Sequence, residues 1–196
     1  MTLNISITVC GPIDSGKTSL IKRIVDKTFI EQKQPSYTEF QPLSITVDGY
    51  QIQTSLIERN DEAFMKQAST DPGARGDILL HVYNIESEES FQGALNVFKY
   101  FSRLNDASVM CLVGNYSDTG KREVNKENVM KEITEPDCYA YKISAKTGTG
   151  VEEMIKDVIH NYLTSQSKTI QAKIEPFKGK NKKGAKKGWE VCFVLI

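Results

Sequence analysis

The chain has 196 residues, of which 39% are hydrophobic and 26% charged, and its 25 basic and 25 acidic residues cancel. That length suits one globular domain with a tail. Four Cys without CxxC spacing and two His argue against a zinc site or a disulfide framework, and no apolar run is long enough to span a membrane.

The neutral total hides an asymmetry. From Ser165 onward there are eight Lys against Glu175 and Glu190, a net of +6, which leaves a body with 17 basic and 23 acidic residues, a net of −6. The body reads as one domain over 1–164 and the rest as a flexible polybasic tail over 165–196.

Leu3, Ile5, Ile7 and Val9 alternate with polar residues, so 3–10 is predicted to be a strand. Leu20, Ile21, Ile24 and Val25 follow at helical spacing. Segments 41–48 and 50–57 are strand candidates joined by Asp48-Gly49, a hairpin signal. A short helix is expected over 62–70. The apolar run 77–85 reads as a strand buried on both faces, 89–104 as a helix, and 108–114 as a second buried strand. A helix over 125–133, a strand over 138–143 and a helix over 150–163 complete the body. Cys10 and Cys111 fall in strands as small core residues. His81 reads as structural and His160 as a helix-surface residue. Phe91, Phe98 and Phe101 read as core packing. This order predicts an α/β fold: a mostly parallel six-stranded sheet with one antiparallel edge strand and helices on both faces.

Gly11-Pro12-Ile13-Asp14-Ser15-Gly16-Lys17-Thr18 satisfies the P-loop pattern, and it lies between a strand and a helix as that motif requires. Backbone N–H groups along Asp14, Ser15, Gly16, Lys17, Thr18 and Ser19, with the helix N-terminus, would face phosphates. Lys17 would reach the β- and γ-phosphates and Thr18 would hold Mg²⁺. Asn115-Tyr116-Ser117-Asp118 ends a buried strand, where open α/β sheets bind ligands. The Asp118 carboxylate could accept from N1–H and the exocyclic amine of guanine, a pair that adenine lacks. Ser144-Ala145-Lys146 ends the next strand and could place N–H groups at the guanine carbonyl.

With these three motifs in this order, the sequence resembles the small GTPases of the Ras superfamily over about residues 3–164. The stretch 75–91 and Lys121-Arg122-Glu123-Val124 are most similar to the Rab and Ras branches. The resemblance implies a P-loop Ras-like fold, GDP/GTP and Mg²⁺ binding, a nucleotide-dependent switch and slow GTP hydrolysis. It implies effector and regulator proteins bound through switch regions 31–41 and 58–75, in signalling or vesicle traffic. In the first switch, Ser36 stands where the family has a Mg²⁺-binding Thr, with Thr38 as the alternative register.

The sequence departs from the family at several positions. Tyr116 replaces the Lys of Asn-Lys-x-Asp; its ring could pack along the nucleotide or point into solvent. The second switch, usually Asp-x-x-Gly-Gln, reads Glu58-Arg59-Asn60-Asp61-Glu62. Glu58 could still hold a Mg²⁺-bound water. Asp61 replaces a glycine whose N–H meets the γ-phosphate and would repel a polyanion there. Glu62 replaces the glutamine that orients the attacking water; ionised, it cannot donate a hydrogen bond, and a role as base is its second option. Ile13 would crowd that catalytic residue. Two functions stay open: a slow GTPase switch, with Lys17 and Glu62 as the catalytic residues, and a pseudo-GTPase acting as a binding or scaffold module. A P-loop kinase or ATPase would need a lid and an acceptor site for which the sequence offers no candidate.

The tail resembles the end of a prenylated GTPase. Its Lys residues would attract an anionic membrane surface, and Cys192 is the candidate lipidation site, followed by four residues where the usual signal has three. The other reading is an unmodified tail whose apolar end, with Trp189, touches a membrane or a partner. Peripheral attachment to the cytoplasmic face of a membrane is expected, and a monomer. The Lys run lacks interleaved aromatics and arginines, so nucleic acid is not an expected partner.

Overall fold

The alternating N-terminal segment forms β1 (Thr2–Cys10) and runs straight into the glycine loop, after which α1 spans Lys17–Asp26. The computed structural model describes residues 2–37, 40–103, 109–135 and 137–166, without the side chains of 62, 63, 72 and 73. Thr38, Trp189 and Cys192 lie outside the described residues, as do the expectations placed on the tail.

β2 (Gln41–Val47) and β3 (Tyr50–Glu58) form the hairpin. Its turn residues, Asp48 and Gly49, both have positive φ, the backbone twist that suits a two-residue hairpin. α2 (Asp61–Thr70) follows, then a 3-10 turn over Pro72–Arg75 that no periodicity announced. β4 (Ile78–Asn84), α3 (Glu88–Ser102), β5 (Val109–Asn115), α4 (Lys126–Lys131), β6 (Cys138–Lys142) and α5 (Val151–Ser165) complete the chain. α5 therefore extends one residue into the segment read as tail.

The six strands form one sheet in the order β2-β3-β1-β4-β5-β6. All neighbours are parallel except β2 with β3, so the hairpin supplies the expected antiparallel edge strand. Every residue of β5 is buried, and so is all of β4 except Asn84, as a central strand covered on both faces requires. On one face, Leu20, Ile21 and Ile24 of α1 pack with Met154, Ile155, Val158 and Ile159 of α5. On the other, Phe64 of α2 joins Phe91, Phe98 and Phe101 of α3. Phe64 and Phe101 have ring centroids 4.9 Å apart. Burying each such ring contributes about 1.5–3 kcal/mol.

His81 lies in this second layer, fully buried, with its ring edge-on to Phe98 at 5.5 Å. Its Nδ1 is 3.2 Å from Cys10 Sγ. His160 is half-exposed on α5, with Nδ1 2.5 Å from Asp48 Oδ2 of the hairpin turn. The strand order brings the C-terminal ends of β1, β3 and β5 to one edge of the sheet, where the loops carrying the motifs emerge.

Candidate nucleotide site

The loop after β1 is shaped by what its glycines allow. A β-carbon on Gly11 would lie 2.1 Å from the Val82 carbonyl oxygen, and one on Gly16 would lie 2.2 Å from Asn115 Nδ2. Both distances are below any real contact, so the loop packs this tightly only with glycine. Asp14 is also left-handed, with φ 58°, a conformation that Asp tolerates better than most residues. Gly16 caps α1 without any side-chain hydrogen bond. The first N–H groups of that helix therefore have no side-chain cap, as an anion site needs. Ser15 is fully buried and its hydroxyl has no partner. Ser19 sits in the first turn of α1, partly buried. Ile13 is 76% exposed and so stands over the loop rather than in the core.

Lys17 Nζ donates to the carbonyls of Gly11 at 2.8 Å and Pro12 at 2.7 Å. Burial lowers its pKa, opposed by Glu58, Asp61, Cys10 and Asp14. The ammonium is thus folded back on the loop, among four acidic or thiol groups.

Thr18 and Glu58 meet directly. The Thr18 hydroxyl lies 3.0 and 2.9 Å from the two Glu58 carboxylate oxygens. Glu58 ends β3 opposite Val9 of β1, and its extra methylene relative to Asp carries the carboxylate to Thr18. The same carboxylate accepts the Tyr37 N–H at 3.1 Å, which draws the first switch onto the second. Ser36, exposed, is next in the chain. A threonine hydroxyl and a carboxylate within 3 Å are the hard oxygen donors that Mg²⁺ takes, so the residues present fit that ion.

Beyond Glu58, the Arg59 N–H donates to the Val9 carbonyl at 2.9 Å. That bond places Asp61, the first residue of α2, against the loop. Burial raises the Asp61 pKa, against the pull of the nearby Gly11 N–H and of Lys17. Its Oδ1 is enclosed and without a partner. Glu62 lies in the first turn of α2; its side chain is outside the described residues, and so is the catalytic role expected of it.

The base-side motifs are joined to the loop by side chains. Asn115, buried at the end of β5, donates from Nδ2 to the Ser15 carbonyl at 3.1 Å and accepts the Ala145 N–H on Oδ1 at 3.0 Å. One amide thereby ties all three motifs together. Tyr116 does not point into solvent. Its backbone is left-handed, with φ 71°, and its hydroxyl donates to the Asp14 carbonyl at 3.0 Å. The ring passes over Gly16, where a β-carbon would lie 3.6 Å from Cε2. Burial, then Asp14, Glu86 and Asp118, raise its pKa, so the phenol stays protonated and able to donate.

Asp118 is exposed, and its Oδ1 accepts the Ser144 hydroxyl at 2.5 Å. A carboxylate has about four acceptor sites, so this bond orients Asp118 while leaving capacity for a base. The Ser144 Oγ accepts the Thr147 N–H at 3.0 Å, which closes the loop around Ala145. Lys146 reaches Glu31 at 3.3 Å across the exposed rim.

Two structural residues escaped the motif reading. Arg23, near the end of α1, donates from Nε to the Ala145 carbonyl at 2.9 Å and from Nη2 to the Lys146 carbonyl. It staples the third motif to the helix of the first. Asp77 accepts the Ser6 N–H and hydroxyl at 2.7 Å each, and the Tyr162 hydroxyl at 2.7 Å. The only sequence hint for either was a charged residue at the boundary of an apolar element.

Comparison with known proteins places this geometry. The sequence profile of the Ras family matches residues 6–164. The chain is 26% identical to the Ras-related protein Rab-18-B of Danio rerio over 165 residues, 81% of this chain and 79% of that one. It is 30% identical to the Ras-related protein Rab-13 of Canis lupus familiaris over 158 residues, 78% of this chain and 77% of that one. It is 23% identical to the Ras-related protein ralB-A of Xenopus laevis over 175 residues, 87% and 85% of the two chains.

Proposed function

The chain belongs to the Ras family of small GTPases, and from that premise we propose that it is a Mg²⁺-dependent GDP/GTP switch with slow or impaired hydrolysis. The observation that carries the reading is the Asn115 amide, bonded at once to Ser15 and Ala145. It joins the phosphate loop to the 144–146 loop, and Ser144 of that loop holds the Asp118 carboxylate.

Asp14, Ser15, Gly16, Lys17, Thr18 and Ser19 would surround the phosphates. Tyr116, Asp118, Ser144, Ala145 and Lys146 would surround the base, with Asp118 giving preference for guanine. Thr18, Ser36 and, through water, Glu58 would hold the Mg²⁺. Bound there, the ion would neutralise phosphate charge. Lys17 would leave the Gly11 and Pro12 carbonyls to meet the same oxygens. Glu62, as a carboxylate, can accept a proton from water but not donate to the transition state, which accounts for a slow reaction.

A second reading, a catalytically inactive membrane-tethered scaffold, is favoured by Asp61, whose carboxylate lies against Gly11 where a glycine N–H serves the family. Under either reading the tail tethers the chain to an anionic membrane surface, with Cys192 as the lipidation site. Effectors and regulators bind through 31–41 and 58–75, in signalling or vesicle traffic at the cytoplasmic face. Among the described residues no helix is long and apolar enough to cross a membrane.

The test is a single turnover. Protein loaded with GTP and given Mg²⁺ is followed by chromatography over hours, with ATP as competitor. Conversion to GDP that disappears in Lys17→Ala supports the switch. GTP retained unchanged supports the scaffold, and failure to load GTP or GDP sinks the nucleotide switch.

A further inference from the structure

Gly11 lies between two side chains of opposite charge, Lys17 and Asp61. Its carbonyl accepts Lys17 Nζ at 2.8 Å, and its N–H lies on the side of Asp61, whose charged form it favours. Asp61 is held there by the element that bears it: the Arg59 N–H bonds the Val9 carbonyl at 2.9 Å, and α2 begins at Asp61 itself. The α2 helix is in turn fixed by Phe64, fully buried against Phe101. The Asp61 backbone is therefore fixed by a packed helix. Its enclosed Oδ1 has no partner, so it is a part-buried anion with spare acceptor capacity beside the loop that grips phosphate.

Glu58 acts on the adjacent groups. It binds the Thr18 hydroxyl and the Tyr37 N–H together. In a phosphate-driven switch, the first switch loop is ordered by the γ-phosphate. Here a carboxylate of the chain already ties that loop to Thr18.

We infer that Asp61 takes the place of a third phosphate beside the loop, so that this site holds guanosine diphosphate in preference to the triphosphate. The inference rests on the nucleotide-binding reading above and concerns how the site is regulated. A diphosphate ends near the α1 N-terminus and Lys17. A third phosphate would continue past Lys17 toward Asp61, where it meets like charge. Like charges brought close together in a partly buried site weaken binding by about tenfold to a hundredfold. The resting protein is then the diphosphate form with the first switch fastened by Glu58. Reaching the triphosphate form requires α2 to draw Asp61 away, which a partner gripping the second switch would favour.

The experiment is calorimetric titration of the nucleotide-stripped full chain with GDP and with the non-hydrolysable β,γ-imido analogue of GTP, at constant Mg²⁺. The wild type is expected to bind GDP about tenfold to a hundredfold more tightly than the analogue. Asp61→Asn, nearly isosteric, is expected to narrow that gap at least tenfold by strengthening the analogue, with GDP affinity unchanged within about twofold. Asp61→Gly serves as a second variant, and thermal melts confirm that each is folded. Equal binding of both nucleotides by the wild type, or a gap unmoved in both variants, overturns the inference and leaves nucleotide binding intact. Binding of neither nucleotide by any of the three proteins overturns the nucleotide-binding reading and this inference with it.

Discussion

The Tyr116 hydroxyl donates to the Asp14 carbonyl at 3.0 Å, so the residue that breaks the family's guanine motif still reaches the phosphate loop. A family lysine at this position spans the gap with an aliphatic stem and a charge. Here a rigid ring covers Gly16 and a neutral O–H makes the strut. The ring loses less conformational freedom than a lysine stem does, because it has fewer rotatable bonds.

Tyr116→Phe keeps the ring and removes the strut. One neutral hydrogen bond is worth about 0.5–1.5 kcal/mol net, so GDP release should quicken about twofold to tenfold. Tyr116→Ala should be worse, and Tyr116→Lys should restore slow release. Stopped-flow displacement of a fluorescent GDP analogue reads all three. Unchanged release in Tyr116→Phe would mean the strut carries nothing.

Asp118, held by the Ser144 hydroxyl, is proposed to accept from two donors on one base edge. Inosine diphosphate lacks the exocyclic amine. Hydrogen bonds to a charged group are worth about 1.5–3 kcal/mol, so GDP should outcompete inosine diphosphate by at least tenfold. Competition binding on Asp118→Ala should show both nucleotides weakened and the preference gone. A preference that survives would put base selection elsewhere.

Arg23 links α1 to the carbonyls of Ala145 and Lys146. Arg23→Met keeps most of the stem and loses the bonds. It should cost about 1–2 kcal/mol, seen as a melting temperature lower by a few degrees and GDP binding weaker by about threefold to tenfold. Normal GDP affinity with a lowered melting temperature would make Arg23 a fold residue only.

His81 is buried among Cys10, Phe98 and Phe101, and burial pushes its pKa down to about 3. The unfolded chain takes up this proton near pH 6.5, while the folded chain stays neutral until about pH 3. Stability from His81 is therefore full above pH 6.5 and is lost as pH falls toward 3, at about 1.4 kcal/mol per unit. Urea denaturation at about pH 6.5 and about pH 5 should show the wild type losing about 2 kcal/mol more than His81→Leu. Equal losses would show that His81 does not titrate on unfolding in this range.

The sheet was legible because β4 and β5 are apolar runs covered on both faces and the hairpin carries Asp48-Gly49, signals that depend on neighbours in the chain alone. The phosphate loop was legible for the same reason: its two glycines, Lys17 and Thr18 lie within eight consecutive residues. The short 3-10 turn over Pro72–Arg75 has no period to detect, and a single Arg23 or Asp77 gives no pattern at all.

Sequence by itself determined the family, the order of strands and helices, and which residues could meet a nucleotide, because each of these is written in short-range pattern and composition. Only the tertiary structure decided where the altered residues point. Whether Tyr116 faced solvent or the loop depended on its left-handed backbone and on Asp14, over one hundred positions away. Whether Glu58 reached Thr18, and Asp61 reached Gly11, depended on β3 lying beside β1 in a register that puts Glu58 opposite Val9. Side-chain chemistry names what a residue can bond. Strand pairing and helix packing, which sum weak contacts across the whole chain, choose the partner.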